Sequence, residues 1–452
     1  MTAPDWLALD RAHCWHPFTQ AQTAPAPLPI VRGEGSWLIA ADGRRYLDAV
    51  SSWWVNLHGH AHPAIARALA EQALTLEHTM FAGIAHEPAA RLAAELAARA
   101  PAPLKHVFFS DNGSTAIEVA LKIACQYWIN QGRKRHRFLA FEGGYHGDTF
   151  GAMAAGKSSG FYTPFEDWLF GVDFLPWPQS WIDNASIDAE EAAALARLDA
   201  YLDRHGDDLA AFIFEPLVQG ASGMRMARAP FQRAVCERVR ARGVPVIFDE
   251  VMTGFGRTGR MFAAEHIGFT PDLLCVCKGL TGGFLPMAAT LAQPHIHDAF
   301  LGENVDRALL HGHTFTANPL GCAAALASLK LFDDEDVMAK IVALEAMQAE
   351  RLAAIAGHPL VTRPRQWGTI AAFDLAQPAG DVGGYASASG RALREAMIAR
   401  GVLMRPMGDA VYFLPPYCTS ADDLDFAYAQ LRAVLDELAD PAARAGAPSD
   451  LF

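Results

Sequence analysis

Two short apolar stretches of the chain each end in a charged side chain. VPVIFDEV places Asp249 after its apolar residues, and LLCVCK ends at Lys278. Both stretches are too brief for helices, so we predict buried strands. In a parallel α/β sheet, ligands bind at the carboxyl ends of the strands. An acid and an amine that meet at this edge could hold the two ends of one aromatic cofactor.

A lysine at the end of a buried strand is unusual, because burying an ammonium group is costly. Burial lowers the pKa of a lysine and favours the neutral amine that forms a Schiff base with a carbonyl compound. An isolated lysine of this kind would more often simply reach water, and Asp249 is what strengthens the catalytic interpretation. Pyridoxal phosphate requires an amine for its aldehyde and an acid for its ring nitrogen. The pair Asp249 and Lys278 therefore predicts a pyridoxal phosphate site.

The phosphate and the ring of such a cofactor need binding groups of their own. SDNGSTAIEVALKIA predicts a helix that begins near Gly113 and Ser114, and the free N–H groups at a helix start favour an anion. An ordinary helix cap would have the same sequence pattern. Thr314 in HGHTFTANP also precedes a helix and offers a second phosphate donor. Tyr145 in GGYHG lies on a glycine-lined loop, where its ring could stack on a cofactor.

Strand and helix patterns alternate through the middle of the chain. We predict strands at RFLAF and LAAFIFEP and helices at residues 87–99 and 189–205 and in PFQRAVCERVRARG. This alternation predicts a largely parallel sheet covered by helices. Further along the chain we predict a single helix over residues 333–356, with Gly357 just after its end.

The sequence patterns at the two ends of the chain differ from those in its middle. The first sixty residues look irregular apart from a hairpin that turns at Asp42 and Gly43. SSWWVNLHGHAHP contains three alternating histidines, which would share one face if this segment were a strand: His58, His60 and His62. No carboxylate or cysteine accompanies them at metal-ligand spacing, so we predict no metal site. We place residues 61–331 in a large cofactor-binding domain, with residues 1–60 and 332–452 in a small one.

Composition narrows the class of protein. The 452 residues are enough for two domains with a sizeable core. A net charge of -13, from Lys+Arg 37 against Asp+Glu 50, argues against a nucleic-acid partner. No apolar run is long enough to span a membrane and the N-terminus lacks a signal-peptide pattern, so we expect a cytoplasmic enzyme without a membrane partner. The odd number of cysteines, Cys 7, without a C-x-x-C motif predicts no disulfide framework.

Six segments in chain order match one known family. They are DNGSTAIEVALK, YHGDTFGAM, FEPLVQGASGM, FDEVMTGFGRTG, KGLTGG and HGHTFTANPLG. Together they resemble the class III, fold-type I aminotransferases, which use pyridoxal 5'-phosphate, and the resemblance runs from about Trp15 to beyond Arg405. It implies an α/β fold whose large domain has a mostly parallel, seven-stranded type of sheet covered by helices. A smaller α+β domain would be built from both termini.

Three further segments narrow the resemblance. WHPFTQ, SSWWVNLHGH and VQGASGMRM resemble the members of this family that make 7,8-diaminononanoate in biotin biosynthesis. This implies transamination of 8-amino-7-oxononanoate, with S-adenosylmethionine as amine donor. Lysine as donor, or an ω-aminotransferase that passes an amine from β-alanine or a diamine to pyruvate, are alternatives. An aminomutase or racemase on the same scaffold is another, and intact Lys278 and Asp249 argue against a regulator that has lost catalysis.

The resemblance implies a role for each residue around the cofactor. Lys278 would be the Schiff-base lysine and proton shuttle, Asp249 the partner of the ring nitrogen, and Tyr145 the ring that stacks on the cofactor. The phosphate would be bound by three residues, Gly113, Ser114 and Thr314. Thr314 would come from the second subunit of a homodimer, whose active site would lie at the interface.

The resemblance also implies a substrate-binding set, which comprises Phe18, Trp53, Trp54, Gly312 and Arg405. A guanidinium can grip a distant carboxylate with two hydrogen bonds, and tryptophans can cover the methylenes between. Two adjacent tryptophans on a strand would point to opposite faces, so at least one could face a pocket.

Two positions depart from the pattern of the family. Phe18 stands where tyrosine is usual and cannot offer a hydroxyl to the amine donor, which bears on the identity of that donor. His313 stands where proline is common. Glu215 and Arg257 also lie within the motifs, and the sequence assigns them no role.

Overall fold

The computed structural model describes residues 5–376 and 387–440. Within them the strands are, in chain order, β1 (Ile30–Glu34), β2 (Trp37–Ala40), β3 (Arg45–Asp48), β4 (His106–Ser110), β5 (Arg137–Phe141), β6 (Val172–Leu175), β7 (Leu209–Phe214), β8 (Val218–Gln219), β9 (Arg225–Met226), β10 (Val246–Asp249), β11 (Leu273–Val276), β12 (Ala288–Ala292), β13 (Val361–Trp367), β14 (Ile370–Leu375), β15 (Val402–Leu403) and β16 (Ala410–Phe413). The helices are α1 (Asp5–His13), α2 (Ser51–Trp54), α3 (Pro63–Thr75), α4 (Glu87–Arg99), α5 (Gly113–Asn130), α6 (Phe150–Ala155), α7 (Ile187–His205), α8 (Ala229–Ala241), α9 (Ala264–Ile267), α10 (Pro294–Asp298), α11 (Pro319–Asp334), α12 (Val337–Ile355), α13 (Ala388–Ala399) and α14 (Ala421–Ala439).

The central sheet has seven strands in the order β4-β12-β11-β10-β7-β5-β6. Neighbours from β11 to β6 run parallel, whereas β12 runs antiparallel to both β11 and β4. The mostly parallel α/β architecture is therefore confirmed. β12 was not predicted, because its sequence AATLA is buried throughout and has neither alternation nor strong β propensity.

Alternate residues of the central strands pack into two apolar cores. On one face, Ile247 and its neighbours pack against α5 and α6. On the other face, Phe248 and its neighbours pack against α4, α7 and α8. Phe248 pairs with Phe214 on β7, and Asp249 pairs with Cys275 on β11. The carboxyl ends of these three strands therefore lie side by side.

A second sheet, β1-β2-β3-β15, joins the beginning of the chain to its end. The β2–β3 hairpin turns at Asp42 and Gly43 as predicted, whereas α1 and β1 correct the prediction that the first sixty residues are otherwise irregular. Leu47 of β3 pairs with Val402 of β15 in parallel. Because of this pairing, the residues that follow β15 lie next to those that follow β3. A third sheet, β13-β14-β16, lies entirely in the later part of the chain.

The segment from Ser51 to His62 is not a strand, which corrects a prediction. It begins with α2, an irregular turn whose backbone departs from helical geometry. The rings of His58 and His62 lie side by side, with centroids 6.1 Å apart, and bind Ser328 and Glu335. The His60 ring binds Asp48 instead. Each is held as a structural contact between separate parts of the chain.

The helix predicted over residues 333–356 corresponds to α12, but its predicted start is wrong. α11 continues to Asp334, and α12 begins only at Val337. Asp336 adopts a left-handed backbone, with φ 46, which turns the chain between the two helices. The apolar pattern crosses this break because both helices pack on the core, so the break has no periodicity signal. The division of the chain into 1–60, 61–331 and 332–452 stays a prediction. Within the described residues, no helix is both long and apolar enough to cross a membrane.

Candidate active site

Asp249 ends β10 and is 4% exposed. Its Oδ2 accepts a hydrogen bond from Nδ1 of His146 at 2.7 Å, and its Oδ1 accepts the backbone N–H of Val251 at 3.1 Å. The other ring nitrogen of His146, Nε2, is buried and has no hydrogen-bond partner among the described residues. The sequence analysis missed His146, although it stands next to Tyr145 in YHG.

Lys278 begins a short 3-10 turn, Lys278–Thr281, two residues after β11 ends at Val276. We had predicted that Lys278 is the last residue of the strand, and this prediction is corrected, because the residue follows the strand. Nζ lies 4.9 Å from the centre of the Trp54 ring. Burial lowers the pKa of Lys278 below its usual value, while the nearby Asp249 and Glu215 raise it less strongly. The amine of Lys278 is thus more readily neutral in this site than it would be in water.

Six of the predicted residues line one cavity of about 140 Å³. They are Phe18, Trp53, Trp54, Tyr145, Lys278 and Arg405. The cavity is also lined by Phe161, Ala221 and Met407, which the sequence analysis missed because single apolar residues in loops carry no pattern. Residues from both ends of the chain thus meet residues from the central sheet.

Arg405 lies two residues after β15 and is half-buried. Its guanidinium carbon lies 4.0 Å from the centre of the Trp53 ring and 5.8 Å from that of Phe18. The Phe18 and Trp53 rings meet edge-to-face, with centroids 5.7 Å apart. Stacking on aromatic rings fixes the plane of a guanidinium, the group that binds carboxylates with paired hydrogen bonds.

Trp54 is 3% exposed although it lines the cavity. Its backbone is left-handed, with φ 69, an unusual conformation for an aromatic residue. Its Nε1 donates to the Tyr412 hydroxyl at 2.9 Å. The buried Arg257 donates to the carbonyl oxygens of Trp54 at 3.3 Å, Asn56 at 3.1 Å and Pro415 at 3.0 Å. Arg257 therefore ties the Trp54 turn to the segment after β16.

The start of α5 lies close to the end of β10. A Cβ added at Gly113 would lie 2.6 Å from a methyl carbon of Val251, so only glycine fits there. The Ser114 hydroxyl accepts the backbone N–H of Thr149 at 2.9 Å and lies 2.7 Å from its hydroxyl. The Asn112 side chain caps the N–H of Thr115 at 3.0 Å, and the N–H groups of Gly113 and Ser114 have no acceptor within the helix. This end can therefore bind an anion near the end of β10.

Thr314 and Gly312 are not brought into this cavity. Both are exposed, and the Thr314 hydroxyl forms no hydrogen bond within the part of the chain that the structure describes. Phe315 beside them is 59% exposed. These two predicted residues therefore lie outside the cavity that the other residues form.

The residues present fit pyridoxal phosphate. A lysine of lowered pKa suits its aldehyde, and a buried carboxylate suits its ring nitrogen. A helix start held close to that carboxylate suits its phosphate. Tyr145 supplies a half-buried ring at the same cavity.

Comparisons with known proteins agree with this donor set. The sequence profile of the family described as Aminotransferase class-III matches residues 18–435. An adenosylmethionine-8-amino-7-oxononanoate aminotransferase from Synechococcus elongatus is 54% identical over 426 residues, which cover 94% of this chain and 99% of that protein.

The chain is also similar to solved structures of aminotransferases. An adenosylmethionine-8-amino-7-oxononanoate aminotransferase from Methanocaldococcus jannaschii superposes with a TM-score of 0.89 at 33% identity, covering 96% of this chain and 98% of that one. A PLP-bound amine transaminase from an uncultivated Pseudomonas species has a TM-score of 0.86 at 32% identity, covering 94% and 98%. The chain therefore belongs to the class III aminotransferases, enzymes that depend on pyridoxal 5'-phosphate.

Proposed function

We propose that this aminotransferase converts 8-amino-7-oxononanoate to 7,8-diaminononanoate in biotin biosynthesis, with S-adenosylmethionine as amine donor, and that it works in the cytoplasm. The observation that carries the proposal is the cavity that Lys278 shares with Arg405, Trp53 and Trp54. It pairs an amine with a guanidinium held on an aromatic ring, as a keto acid with a distant carboxylate requires. The 54% identity to a relative named for this reaction supports the same substrate.

We assign the cofactor contacts to the strand ends and to α5. When bound, pyridoxal phosphate supplies an aldehyde that condenses with amines and a ring that accepts electrons from the carbon next to the nitrogen. Asp249 would pair with the ring nitrogen, and His146 would keep the Asp249 carboxylate in place. The backbone at Gly113 and Ser114 would bind the phosphate, and Tyr145 would stack on the ring.

We assign proton transfer to Nζ of Lys278. A general base must be unprotonated, and burial favours the neutral form of this amine. In the first half of the reaction Nζ would take the proton from the donor's α-carbon. In the second half it would return a proton to the carbon that was the ketone of the acceptor. Trp54, whose ring lies 4.9 Å from Nζ, would keep water away from this atom.

We assign the distal carboxylate of the keto acid to Arg405. The guanidinium lies against the rings of Trp53 and Phe18, which limit its freedom before a carboxylate arrives. The rings of Trp53 and Trp54 would cover the methylenes of the substrate. Phe18 brings no hydroxyl to the cavity, so donor binding must rely on other groups. Because these groups are not assigned, lysine is kept as the alternative to S-adenosylmethionine as amine donor.

We also propose a homodimer with an active site at its interface. Thr314 and Gly312 are exposed and lie outside the cavity of their own chain. Thr314 of the partner subunit would complete the phosphate site, and Gly312 of the partner subunit would contact the substrate. Large apolar side chains of the same region are exposed and would be covered by the second subunit: Leu301, Val305, Leu310 and Phe315.

The rival function is that of an ω-aminotransferase, which passes the amine of β-alanine or a diamine to pyruvate. The 32% identity to an amine transaminase makes this the second candidate. Purified protein with pyridoxal phosphate would be incubated with 8-amino-7-oxononanoate and either S-adenosylmethionine or lysine. Mass spectrometry should detect 7,8-diaminononanoate with S-adenosylmethionine. Product with lysine alone would change the donor. No product with either donor, together with alanine formation from β-alanine and pyruvate, would establish the rival.

A further inference from the structure

We propose that Glu215 is a positioning residue that locks two cavity-lining loops together, the loop that carries Tyr145 and the loop that carries Ala221. Glu215 is the first residue after β7, and it is 6% exposed. It does not line the cavity itself. The inference rests on the proposed use of this cavity to bind pyridoxal phosphate.

The two oxygens of one carboxylate bind one loop each. Oε2 accepts the backbone N–H of Tyr145 at 3.0 Å, and Oε1 accepts the backbone N–H of Gly220 at 2.9 Å. Tyr145 and Ala221, the residue after Gly220, both line the cavity. Glu215 therefore fixes the backbone at the points where both side chains leave it.

The same two loops touch at other points, through residues that do not line the cavity. The Ser222 hydroxyl donates to the carbonyl of Gly143, and the Gln219 amide donates to the carbonyl of Glu142 at 3.1 Å. These contacts hold the base of the Tyr145 loop. The bond from Glu215 to the Tyr145 amide is the one that reaches the residue with the stacking ring.

The chemistry of the bridge requires a carboxylate. Only a carboxylate offers an acceptor oxygen to both loops, whereas glutamine offers one oxygen and turns an NH₂ group toward the second N–H. Burial raises the pKa of Glu215 to about 7, and the two N–H bonds and the neighbouring His146 oppose this rise. The bonds to the two loops thus favour the ionised form.

Glu250 provides a matched control. Its buried carboxyl group also accepts two backbone N–H groups, from Ala263 at 2.7 Å and Ala264 at 2.9 Å. Both of those residues lie at the start of α9, and none of the three lines the cavity. Replacing Glu250 by glutamine removes the same kind of bond without touching the cavity wall.

The test compares Glu215→Gln with Glu250→Gln. Both proteins would be freed of cofactor, and pyridoxal phosphate would then be titrated in while tryptophan fluorescence is recorded. We expect both variants to lose thermal stability to a similar degree. Only Glu215→Gln should bind pyridoxal phosphate more weakly, by about tenfold. Glu215→Asp, which keeps both oxygens on a shorter side chain, should recover part of this loss.

Two results would overturn the inference. One is that Glu215→Gln binds the cofactor as tightly as the wild type does. The other is that Glu250→Gln weakens binding as much, because the effect would then follow general stability rather than the bridge. If the wild type itself binds no pyridoxal phosphate, the proposed function fails first and takes the inference with it. Where Glu215→Gln does not fold, the comparison of Glu215→Asp with wild type decides.

Discussion

His146 and Asp249 form a buried pair, with Nδ1 of the histidine 2.7 Å from Oδ2 of the carboxylate. His146 comes from the loop after β5 and Asp249 from the end of β10, so the contact joins two strands that are not neighbours in the central sheet. A buried carboxylate without such a donor would be costly. The histidine therefore helps to fix the position of the acid.

Replacing His146 by alanine should weaken the binding of pyridoxal phosphate. The change removes a hydrogen bond to a charged group, which is worth about 1.5–3 kcal/mol, so we expect roughly ten- to hundredfold lower affinity. Equilibrium titration of cofactor-free protein measures this directly. His106→Ala, at the start of β4, is the control and should bind as the wild type does. Unchanged affinity in His146→Ala would show that Asp249 needs no orienting partner.

Replacing Arg405 by alanine should impair one half of the reaction more than the other. The keto acid would lose the partner of its distal carboxylate, at a cost of about 2–5 kcal/mol in kcat/KM. The half-reaction with the amine donor should change by less than about tenfold. Single-turnover measurements of the two halves separate these effects. Arg238→Ala, which removes a partly exposed side chain of α8 paired with Asp199, is the control. Equal losses in both halves would contradict the assignment.

Glu250 should make the protein less stable as the pH rises. Burial raises its pKa to about 8 from the ordinary value of 4.5. Between these two pH values the folded chain holds a proton that the unfolded chain has released. The stability from this proton is complete below about pH 4.5 and is lost as the pH rises through about 8.

The variant Glu250→Gln cannot titrate and should flatten this decline. Within the window, its free energy of unfolding should fall less steeply than that of the wild type, by up to about 1.4 kcal/mol per pH unit. Urea unfolding at several pH values measures the slope. Glu237→Gln, an exposed site paired with Arg233, should leave the wild-type slope unchanged. A parallel curve for Glu250→Gln would show that the buried carboxyl titrates normally.

Mixing two inactive variants should restore activity if the active site is shared between subunits. Lys278→Ala lacks the catalytic amine, and Thr314→Ala lacks the proposed phosphate donor. In a mixed dimer, one site would combine an intact Lys278 with an intact Thr314 of the partner subunit. We expect up to about a quarter of wild-type activity at limiting cofactor, since random pairing makes half of the dimers mixed. If Thr314 served its own chain, mixing would restore nothing.

Much of the fold and of the site could be predicted from local sequence patterns. Asp249 and Lys278 were predicted because apolar strands that end in charge are rare, and the parallel sheet followed from the alternation of elements. β12 escaped because a buried, alanine-rich strand has no periodicity. The turn at Trp54 was mistaken for a strand because its left-handed backbone depends on distant partners, Arg257 and Tyr412, and not on its own residues.

The roles of Glu215 and Arg257 were beyond the sequence for a similar reason. Each acts through backbone groups, which every residue carries and which no sequence pattern marks. Only the family resemblance assigned Arg405 to the substrate site. The structure explains its position, because β15 pairs with β3 and brings the residues after both strands together.

The central claim is that Lys278 is the residue that carries pyridoxal phosphate. Treating the protein with borohydride fixes the cofactor to its lysine, and peptide mass mapping then identifies the site. We predict the added mass on the peptide that contains Lys278, and a visible absorption band that Lys278→Ala abolishes. Modification of any other lysine, or a wild-type protein that takes up no cofactor, would contradict the account.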